Sequence, residues 1–480
     1  MTPAQLEQLP LGISKIYLKL ETDIMNDIIK NISTMSRLEY TKYLIEREYA
    51  LGMSEKEIRR QIAKANKLSL AEVDKIVTES IKTDYEKQRR LYESRDMDYI
   101  PFAENKALQQ QIESIKIQTA NEYVNITNTM GFASEQNGTI VFNDLTSFYR
   151  TQMDSTVMAV SSGAYDYNTA MVRAVKSMTA SGLRTIDYDS GVKNRVEVAT
   201  RRSVMTGITQ LSANISMSNA KLLGIDHYEV TAHGGARNTG SGYLNHASWQ
   251  GKVYSMKGLE EICGYGQGGG LAGWNCRHSF YPFDKEIDER IYSDDDLRKM
   301  KEEENKKRSF EGKEYNTYQA TQYQRELETR LRYNRQNIKL LTTSDADKMA
   351  EQVRYQSTLR RYREFSKQMD LPIQYERIKI DGLGDINLGK QLFEKSDAIA
   401  KNETTEKMLK MYTQKELDKM SLTELRKNAE GLAVEYYKSG ISKISFGNSS
   451  PEQVAKALSS QGSETSLKKD IISMQKRLKR

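Results

Sequence analysis

The sequence is poor in cysteine, histidine, tryptophan and proline. Its 480 residues include two Cys, four His, two Trp and six Pro. Two cysteines cannot build the disulfide framework that stabilises many small secreted proteins, so we expect a protein made in a reducing cytoplasm. The scarcity of proline favours long, uninterrupted helices, because proline breaks helix interiors.

Long apolar runs and a targeting segment are also missing. The start, MTPAQLEQLPLG, has no basic segment followed by an apolar core, so we expect no signal peptide. The longest uncharged stretches, residues 203–220 and 262–276, are rich in Ser, Thr, Asn or Gly, and neither is typical of a membrane span. The 72 basic and 65 acidic side chains give a net charge of +7 and are mixed along the chain, which is only weak support for nucleic-acid binding.

Amphipathic patterns predict that most of the chain is helical. Near the N-terminus one apolar stripe recurs at steps of three and four residues, and it consists of Ile13, Ile16, Leu20, Ile24 and Ile28. Ser54 with Glu57, and Ser69 with Glu72, match capping boxes and predict separate helices from about residues 55 and 70. Further helical patterns cover residues 107–129, 145–161, 167–181, 195–219, 294–307, 320–341 and 344–369.

The texture of the sequence changes between Gly224 and Phe283. Residues 228–231, 252–255 and 277–283 are predicted strands joined by Gly-rich loops. Two other short strands are predicted at residues 138–142, after a turn, and at residues 376–380. The expected fold class is therefore α+β and predominantly α-helical, with long helices flanking a small Gly-rich α+β module.

These patterns divide the chain into four regions. They are an N-terminal helical region (1–135), a core with the α+β module (136–290), a charged helical region (291–371) and a C-terminal helical region (372–480). In the last region Ser421 with Glu424 predicts one helix start and Ser450-Pro451 another. It ends in a basic tail from Lys468, with six Lys or Arg and one Asp. The tail could contact nucleic acid or an acidic protein surface, but a frayed, solvated terminus is the simpler expectation.

All of the scarce histidine, cysteine and tryptophan lies between residues 227 and 278. His233, His246, Cys276 and His278 could together hold zinc, since imidazole and thiolate are its usual ligands. Their spacing matches no standard zinc finger. The alternative is a hydrogen-bonded polar cluster that holds the Gly-rich loops together.

Two catalytic or ligand-binding alternatives arise from the same segment. A Cys–His nucleophilic pair would use His233 or His246 as its base, because residues 276 and 278 on one strand face would lie too far apart. Nothing else in the sequence marks a substrate pocket. The pattern G-x-G-x-x-G at Gly264, Gly266 and Gly269 resembles a dinucleotide fingerprint, but no strand–turn–helix context surrounds it, so a tightly turned loop is expected.

Four stretches, in order, resemble one protein family. They are GLRTIDYDSGVKNRVEVATRRSVMTGITQ (182–210), VTAHGGAR (230–237), HASWQGKVYS (246–255) and GYGQGGGLAGWNCRHSFYPF (264–283). Together they resemble the phage minor capsid protein 2 family of tailed bacteriophages, which is related to the Mu F-like phage minor head proteins. The resemblance covers about residues 166–292, and YNTYQATQYQRELETRLR (315–332) extends it. Residues 238–245 look like an expanded loop relative to the family.

The resemblance implies a structural protein of the phage head, made in the host cytoplasm and located in the virion. It would be encoded beside the portal gene, associate with the portal protein and other head proteins, and act in head assembly or in genome packaging or delivery. Double-stranded DNA is a further candidate partner, so a DNA-binding ejected internal protein is the main alternative. The family implies no enzyme. Some relatives carry C-terminal enzyme domains, but residues 372–480 contain no His or Cys.

The matching stretches also single out residues with an expected structural role. Trp249 and Trp274, with Phe280, Tyr281 and Phe283, should supply the apolar area of the module. The polar and turn positions of the motif are Arg237, Gln250, Gly251, Asn275 and Arg277.

Overall fold

The computed structural model describes residues 9–36, 38, 40–136, 139–186, 191–386, 414–438 and 463–478. The chain forms two compact units, residues 1–393 and 394–480. The finer four-region division remains a prediction. The fold class is confirmed, because the described residues are mostly helical and carry a few small antiparallel sheets.

The first unit begins with helices α1 (Leu11–Met35), α2 (Tyr40–Lys87), α3 (Arg89–Glu93) and α4 (Lys106–Asn128), with a 3-10 turn at Phe102–Glu104. The stripe predicted for α1 is confirmed, since Ile13, Leu20, Ile24 and Ile28 are buried and Ile16 packs at the edge of the same core. Burial of this stripe against α2 fixes the helix pair, because amphipathic helices gain most of their stability from such packing.

The predicted helix starts at residues 55 and 70 are wrong, because α2 runs unbroken for 48 residues. Ser54 and Ser69 are buried on its packed face instead of capping new helices. Ser54 donates to the carboxylate of Asp27 on α1, and Ser69 donates to the Ala65 carbonyl one turn earlier, at 2.9 Å. The hydroxyl groups that the sequence pattern assigned to caps are therefore used elsewhere, that of Ser54 in a contact with α1 and that of Ser69 in a bond within α2.

A four-stranded antiparallel sheet follows, formed by β1 (Met130–Gln136), β2 (Thr139–Asp144), β3 (Arg184–Ile186) and β4 (Lys193–Arg195) in the order β2-β1-β3-β4. The predicted strand at 138–142 falls on β2, apart from Gly138 and its preceding turn, which lie outside the described residues. Strand β1 was not predicted. Helices α5 (Leu145–Ser161) and α6 (Tyr167–Ser181) match their predicted ranges.

Helix α7 (Val196–Leu223) connects this sheet to the Gly-rich module and ends at Gly224, whose φ of 68° is left-handed. The module contains β5 (His227–Val230), α8 (His246–Trp249), β6 (Val253–Ser255), α9 (Met256–Glu261) and β7 (Phe280–Pro282). The antiparallel sheet has the order β6-β5-β7, with His227 opposite Ser255 and Val230 opposite Phe280. The third strand is shorter than predicted, so residues 276–279 are irregular backbone.

The first unit continues with α10 (Asp294–Asn305), a hairpin of β8 (Arg308–Phe310) and β9 (Lys313–Tyr315), and helices α11 (Thr317–Leu340), α12 (Asp345–Gln368) and α13 (Tyr375–Lys379). The hairpin was not predicted. The strand predicted at residues 376–380 is wrong, because one helical turn there places Ile378 in the core formed by α11 and α12.

The second unit contains α14 (Gln414–Leu417), α15 (Leu422–Lys438) and α16 (Glu464–Leu478). The predicted capping box is present, since Glu424 N donates to Ser421 Oγ at 3.3 Å and Ser421 N donates to Glu424 Oε2 at 2.8 Å. The expected start at Ser450-Pro451 lies outside the described residues. The frayed tail is wrong for residues 464–478, because Leu467 and Ile471 are buried against the other helices of this unit.

None of the described helices carries a long apolar stretch of the kind needed to cross a bilayer.

Candidate functional site

The module is packed against the C-terminal half of α7. Its apolar core includes Trp249, Leu259, Cys263 and Phe280, which meet Ala213, Ala220 and Leu223 of α7. The Trp249 indole is almost fully buried, and its Nε1 donates to the Tyr243 carbonyl at 3.0 Å. This core gives the polar residues of the module a rigid support.

Trp274 does not belong to that core, which corrects the expectation made for it. Its side chain is 58% exposed on the Gly-rich loop, against 1% for Trp249. The ring lies beside Gly268, where a Cβ would meet it at 2.9 Å, and Arg202 of α7 approaches it at 5.9 Å. The ring therefore lies at the surface of the loop and not in the core of the module.

The Gly-rich loop folds back on itself, so that two segments of its backbone are in close contact. A Cβ on Gly270 would lie 2.1 Å from the Gly264 carbonyl oxygen, and one on Gly273 would lie 2.4 Å from that of Gly268. Leu271 N donates to the Cys263 carbonyl at 2.9 Å, which closes the loop. No helix of the described residues follows the glycines before β7, so the dinucleotide alternative lacks the helix N-terminus it requires.

The closed loop presents one carbonyl to the polar cluster, the group of buried side chains formed by His246, Cys276 and His278. Gly269 O accepts from His246 Nε2 at 2.9 Å and from Arg237 Nη1 at 2.9 Å. Arg237 Nη2 also donates to the Trp274 carbonyl at 3.3 Å. Arg237 therefore spans the loop and fixes its position relative to His246.

The structure brings three of the four candidate zinc ligands together. One candidate ligand atom from each of His246, Cys276 and His278 lies within 4.8 Å of the other two, and all three side chains are buried. Cys276 Sγ lies 3.5 Å from His278 Nδ1. The expectation that residues 276 and 278 lie too far apart to meet is wrong. The two residues are not on a strand but in irregular backbone, which follows Asn275 with its left-handed φ of 56°.

His233, the fourth candidate, lies beside this group without belonging to it. Its ring stacks on that of His278, with the centroids 4.4 Å apart, and its Nδ1 lies 2.8 Å from the Gly234 carbonyl. Its side chain is only partly buried. His233 therefore covers one face of the His278 ring.

Hydrogen bonds orient both buried imidazoles. His278 Nε2 lies 3.0 Å from Gln250 Oε1, which also accepts from His233 N at 3.0 Å. Because a carboxamide oxygen only accepts, His278 Nε2 carries the proton and Nδ1 keeps its lone pair. The bond from His246 Nε2 to the Gly269 carbonyl leaves the lone pair of His246 on Nδ1 in the same way.

Burial makes the cluster neutral. It lowers the pKa of His246 to about 4, and it lowers that of His278 well below its usual value, with the neighbouring His233, His246, Arg277 and Arg237 adding to the effect. Burial also raises the pKa of the Cys276 thiol. A neutral, buried thiol is a poor nucleophile, so the geometry gives little support to a Cys–His catalytic pair.

The donor set fits a zinc ion. Two neutral imidazoles and one sulfur are typical zinc ligands, and the metal would take the thiolate form of Cys276. In zinc sites the second N–H of a ligating imidazole commonly donates to a carbonyl or carboxylate, as the His278–Gln250 and His246–Gly269 bonds do here. Three such ligands leave one coordination position for a fourth donor.

The remaining motif residues hold the module together. Gly251 has a φ of 71°, and a Cβ there would meet Leu297 of α10 at 2.4 Å. Arg277 Nη2 donates to the Gly235 carbonyl at 3.3 Å. Glu304 of α10, which sequence reasoning missed, accepts from Gly235 N at 2.5 Å. The carboxylate of Glu304 gave no local signal, because it lies in a run of exposed acidic and basic residues.

A comparison of the chain with protein families gives one match, to a model described as phage minor capsid protein 2, over residues 1–367. No curated protein and no solved structure matches the chain. The matched span contains the N-terminal helices, the module and most of α12, and it covers more than half of the chain. The chain therefore belongs to the phage minor capsid protein 2 family, whose members are structural proteins of the phage head.

Proposed function

We propose that this minor capsid protein associates with the portal or the inner surface of the head, and that it acts in head assembly or in genome packaging or delivery. The family match carries the proposal, because it includes both the helical scaffold and the module rather than one detached segment. The portal protein and other head proteins would be its partners.

The buried contacts between module and scaffold support a structural role. Asp84 of α2 accepts hydrogen bonds from Ser212 of α7 and, at 2.8 Å, from Tyr281 of β7. Asn219 of α7 donates to Gln88 at 2.8 Å. Such buried polar contacts demand one relative placement of the elements, since a broken contact leaves a desolvated polar group unpaired. A module held in one position on its helical scaffold suits a protein that is built into an assembly.

The two alternative functions receive less support. In the basic tail, Lys468 is paired with Glu464 at 2.7 Å and with Asp418 at 3.3 Å, so part of its charge is compensated within the second unit. The enzyme alternative needs an accessible nucleophile, and Cys276 is buried with a raised pKa. Neither observation favours DNA ejection or catalysis over the structural role.

We also propose that His246, Cys276 and His278 hold a structural zinc ion that fixes the Gly-rich loop. Purified full-length protein should contain one zinc per chain by inductively coupled plasma mass spectrometry, and Cys276→Ser should lose it. Cys263→Ser is the matched control, because this second buried cysteine lies outside the ligand group. Zinc that is substoichiometric in the wild type and unchanged in Cys276→Ser would leave the hydrogen-bonded cluster as the correct description.

Association with the portal can be tested by co-expression with the portal gene of the same phage, followed by size-exclusion chromatography. We expect the two proteins to elute together. Tyr49→Glu with Met53→Glu alters an exposed apolar pair one turn apart on α2, and Ile291→Glu alters an exposed side chain that follows the module, as a comparison. Loss of co-elution in only one of these variants would identify the docking face. Separate elution of the wild-type proteins, together with absence of the chain from isolated portal–prohead complexes, would contradict the proposal.

A further inference from the structure

A cavity of about 400 Å³ lies beside the polar cluster in the first unit. Its walls come from the start of α7, from the module, from one face of α11 and from α13. Residues that are far apart in the sequence therefore converge on it. The described residues that line the cavity include six arginines: Arg201, Arg237, Arg277, Arg325, Arg332 and Arg377.

The carboxylates in the cavity wall do not balance these arginines. Only Glu197 and Glu328, among the described lining residues, are acidic. Their closest approaches to arginine are long, at 3.9 Å from Glu197 to Arg332 and 3.9 Å from Glu328 to Arg377. All four of these side chains are at least four-fifths buried. An excess of buried positive charge is costly unless an anion compensates it.

Arg201 shows this lack of compensation most directly. Its Nε is buried and has no hydrogen-bond partner. Burial lowers the pKa of the Arg201 guanidinium. The negative charge of Glu197 raises it, but the positive charges of Arg325, Arg377 and Arg332 lower it further. Buried donors in folded proteins are nearly always paired, so the unpaired Nε of an arginine that lines a cavity indicates a missing acceptor.

We propose that this cavity binds a small ligand that carries two or more phosphate groups, such as an inorganic polyphosphate or the phosphate chain of a nucleotide. Planar guanidinium groups bind phosphate oxygens in pairs, and arginine clusters are a common solution for phosphate recognition. The volume is within the range of small-ligand sites and far below that of a DNA duplex. A multiply charged anion matches the charge excess better than a single carboxylate.

The neighbouring side chains suit such a ligand. Tyr318, Gln322 and Thr329 of α11 add hydroxyl and amide groups to the cavity wall. His233, His246 and His278 form the end next to the module, whereas Cys276 does not line the cavity. The inference concerns a second site and does not depend on zinc or on portal association.

The test is isothermal titration calorimetry of the full-length protein with tripolyphosphate, pyrophosphate, phosphate and ATP at two salt concentrations. Binding should strengthen with the number of phosphate groups and weaken with salt. Arg201→Gln should weaken tripolyphosphate binding at least tenfold, and Arg201→Lys should recover part of it. Arg202→Gln is the matched control, because Arg202 lies on the same helix but lines a different cavity. Tighter binding of ATP than of tripolyphosphate would identify a nucleotide rather than a free polyphosphate.

The outcomes separate the proposal from its alternatives. A wild-type protein that binds none of these anions overturns it, as does equal loss of affinity in Arg201→Gln and Arg202→Gln. Binding of a 20-base-pair duplex that is unaffected by Arg201→Gln, without polyphosphate binding, would assign the basic surface to DNA instead. If Arg201→Gln lacks the circular dichroism spectrum of the wild type, Arg325→Gln carries the same test from α11, another element that lines the cavity. A repeat after dialysis against a chelator shows whether binding needs a metal.

Discussion

The polar cluster and the arginine cavity lie side by side, but they differ in how completely their buried polar groups are paired. In the cluster, His246 and His278 are buried, neutral and hydrogen-bonded to carbonyl or carboxamide oxygens. In the cavity, six arginines line the wall with two carboxylates, and the Arg201 Nε has no acceptor. A hydrogen-bonded, neutral cluster stabilises its own fold, whereas an excess of positive charge beside an unpaired donor supports binding of an anion from outside the chain. The comparison supports the proposals of a structural role for the cluster and of anion binding for the cavity.

The largest effect is expected from His278→Ala. This change leaves a cavity in the core and removes the donor to Gln250 Oε1, so the free energy of unfolding should fall by about 3–5 kcal/mol. Cys263→Ala, in the same core but outside the ligand group, should cost only about 1 kcal/mol. Urea denaturation measures both. Equal effects would mean that the cluster contributes no more than ordinary packing.

Gly270→Ala tests whether close backbone contact in the Gly-rich loop positions the cluster. Its Cβ would collide with the Gly264 carbonyl, and we expect a loss of about 2–4 kcal/mol. Gly266→Ala should cost about 1–2 kcal/mol, because that position has open space and only a left-handed backbone. Thermal unfolding followed by circular dichroism gives the comparison. If Gly270→Ala is the milder change, the loop does not have the tight fold described.

For the arginine cavity we expect a substitution that raises the free energy of unfolding, in contrast to the two losses above. Without ligand and at low salt, Arg201→Gln should raise the free energy of unfolding by about 1 kcal/mol, because it removes an unpaired buried donor and a repelling charge. Arg202→Gln should change it by less than about 0.5 kcal/mol. Denaturation curves in low and high salt would show whether the gain is electrostatic. A loss of stability in Arg201→Gln would show that the arginine is compensated within the fold.

The smallest effect is expected from Trp274→Ala. This ring is mostly exposed and lies beside Gly268 and Arg202 without entering the core, so the change should cost less than about 0.5 kcal/mol. Trp249→Ala should cost about 3–5 kcal/mol, because it empties the centre of the module. Intrinsic fluorescence adds a second readout, since only the exposed indole of Trp274 should be readily quenched by iodide. Similar losses in both variants would place Trp274 in the core after all.

Local patterns predicted the helices well and their interruptions poorly. The stripe of α1 and the bounds of α5 and α6 follow from periodicity, which is a property of neighbouring residues. Ser54 and Ser69 looked like caps because the pattern cannot show that α1 covers them. Strand β1 depends on its pairing with β2 and β3, which no window of sequence contains.

The site was predictable in composition but not in geometry. Rarity alone marked His246, Cys276 and His278, and the fold brings these three together. The arginine cavity could not be found in the same way, because arginine is common in this chain and the six arginines of the cavity come from five separate segments. The spacing of Arg325 and Arg332, two turns apart on α11, was the one available local sign.

The central claim, that this chain is a minor component of the phage head next to the portal, is tested most directly by quantitative mass spectrometry of gradient-purified virions and proheads. The measured quantity is the number of copies of the chain per portal ring. A low and reproducible number in mature virions is the predicted result. Absence from both virions and proheads would contradict it.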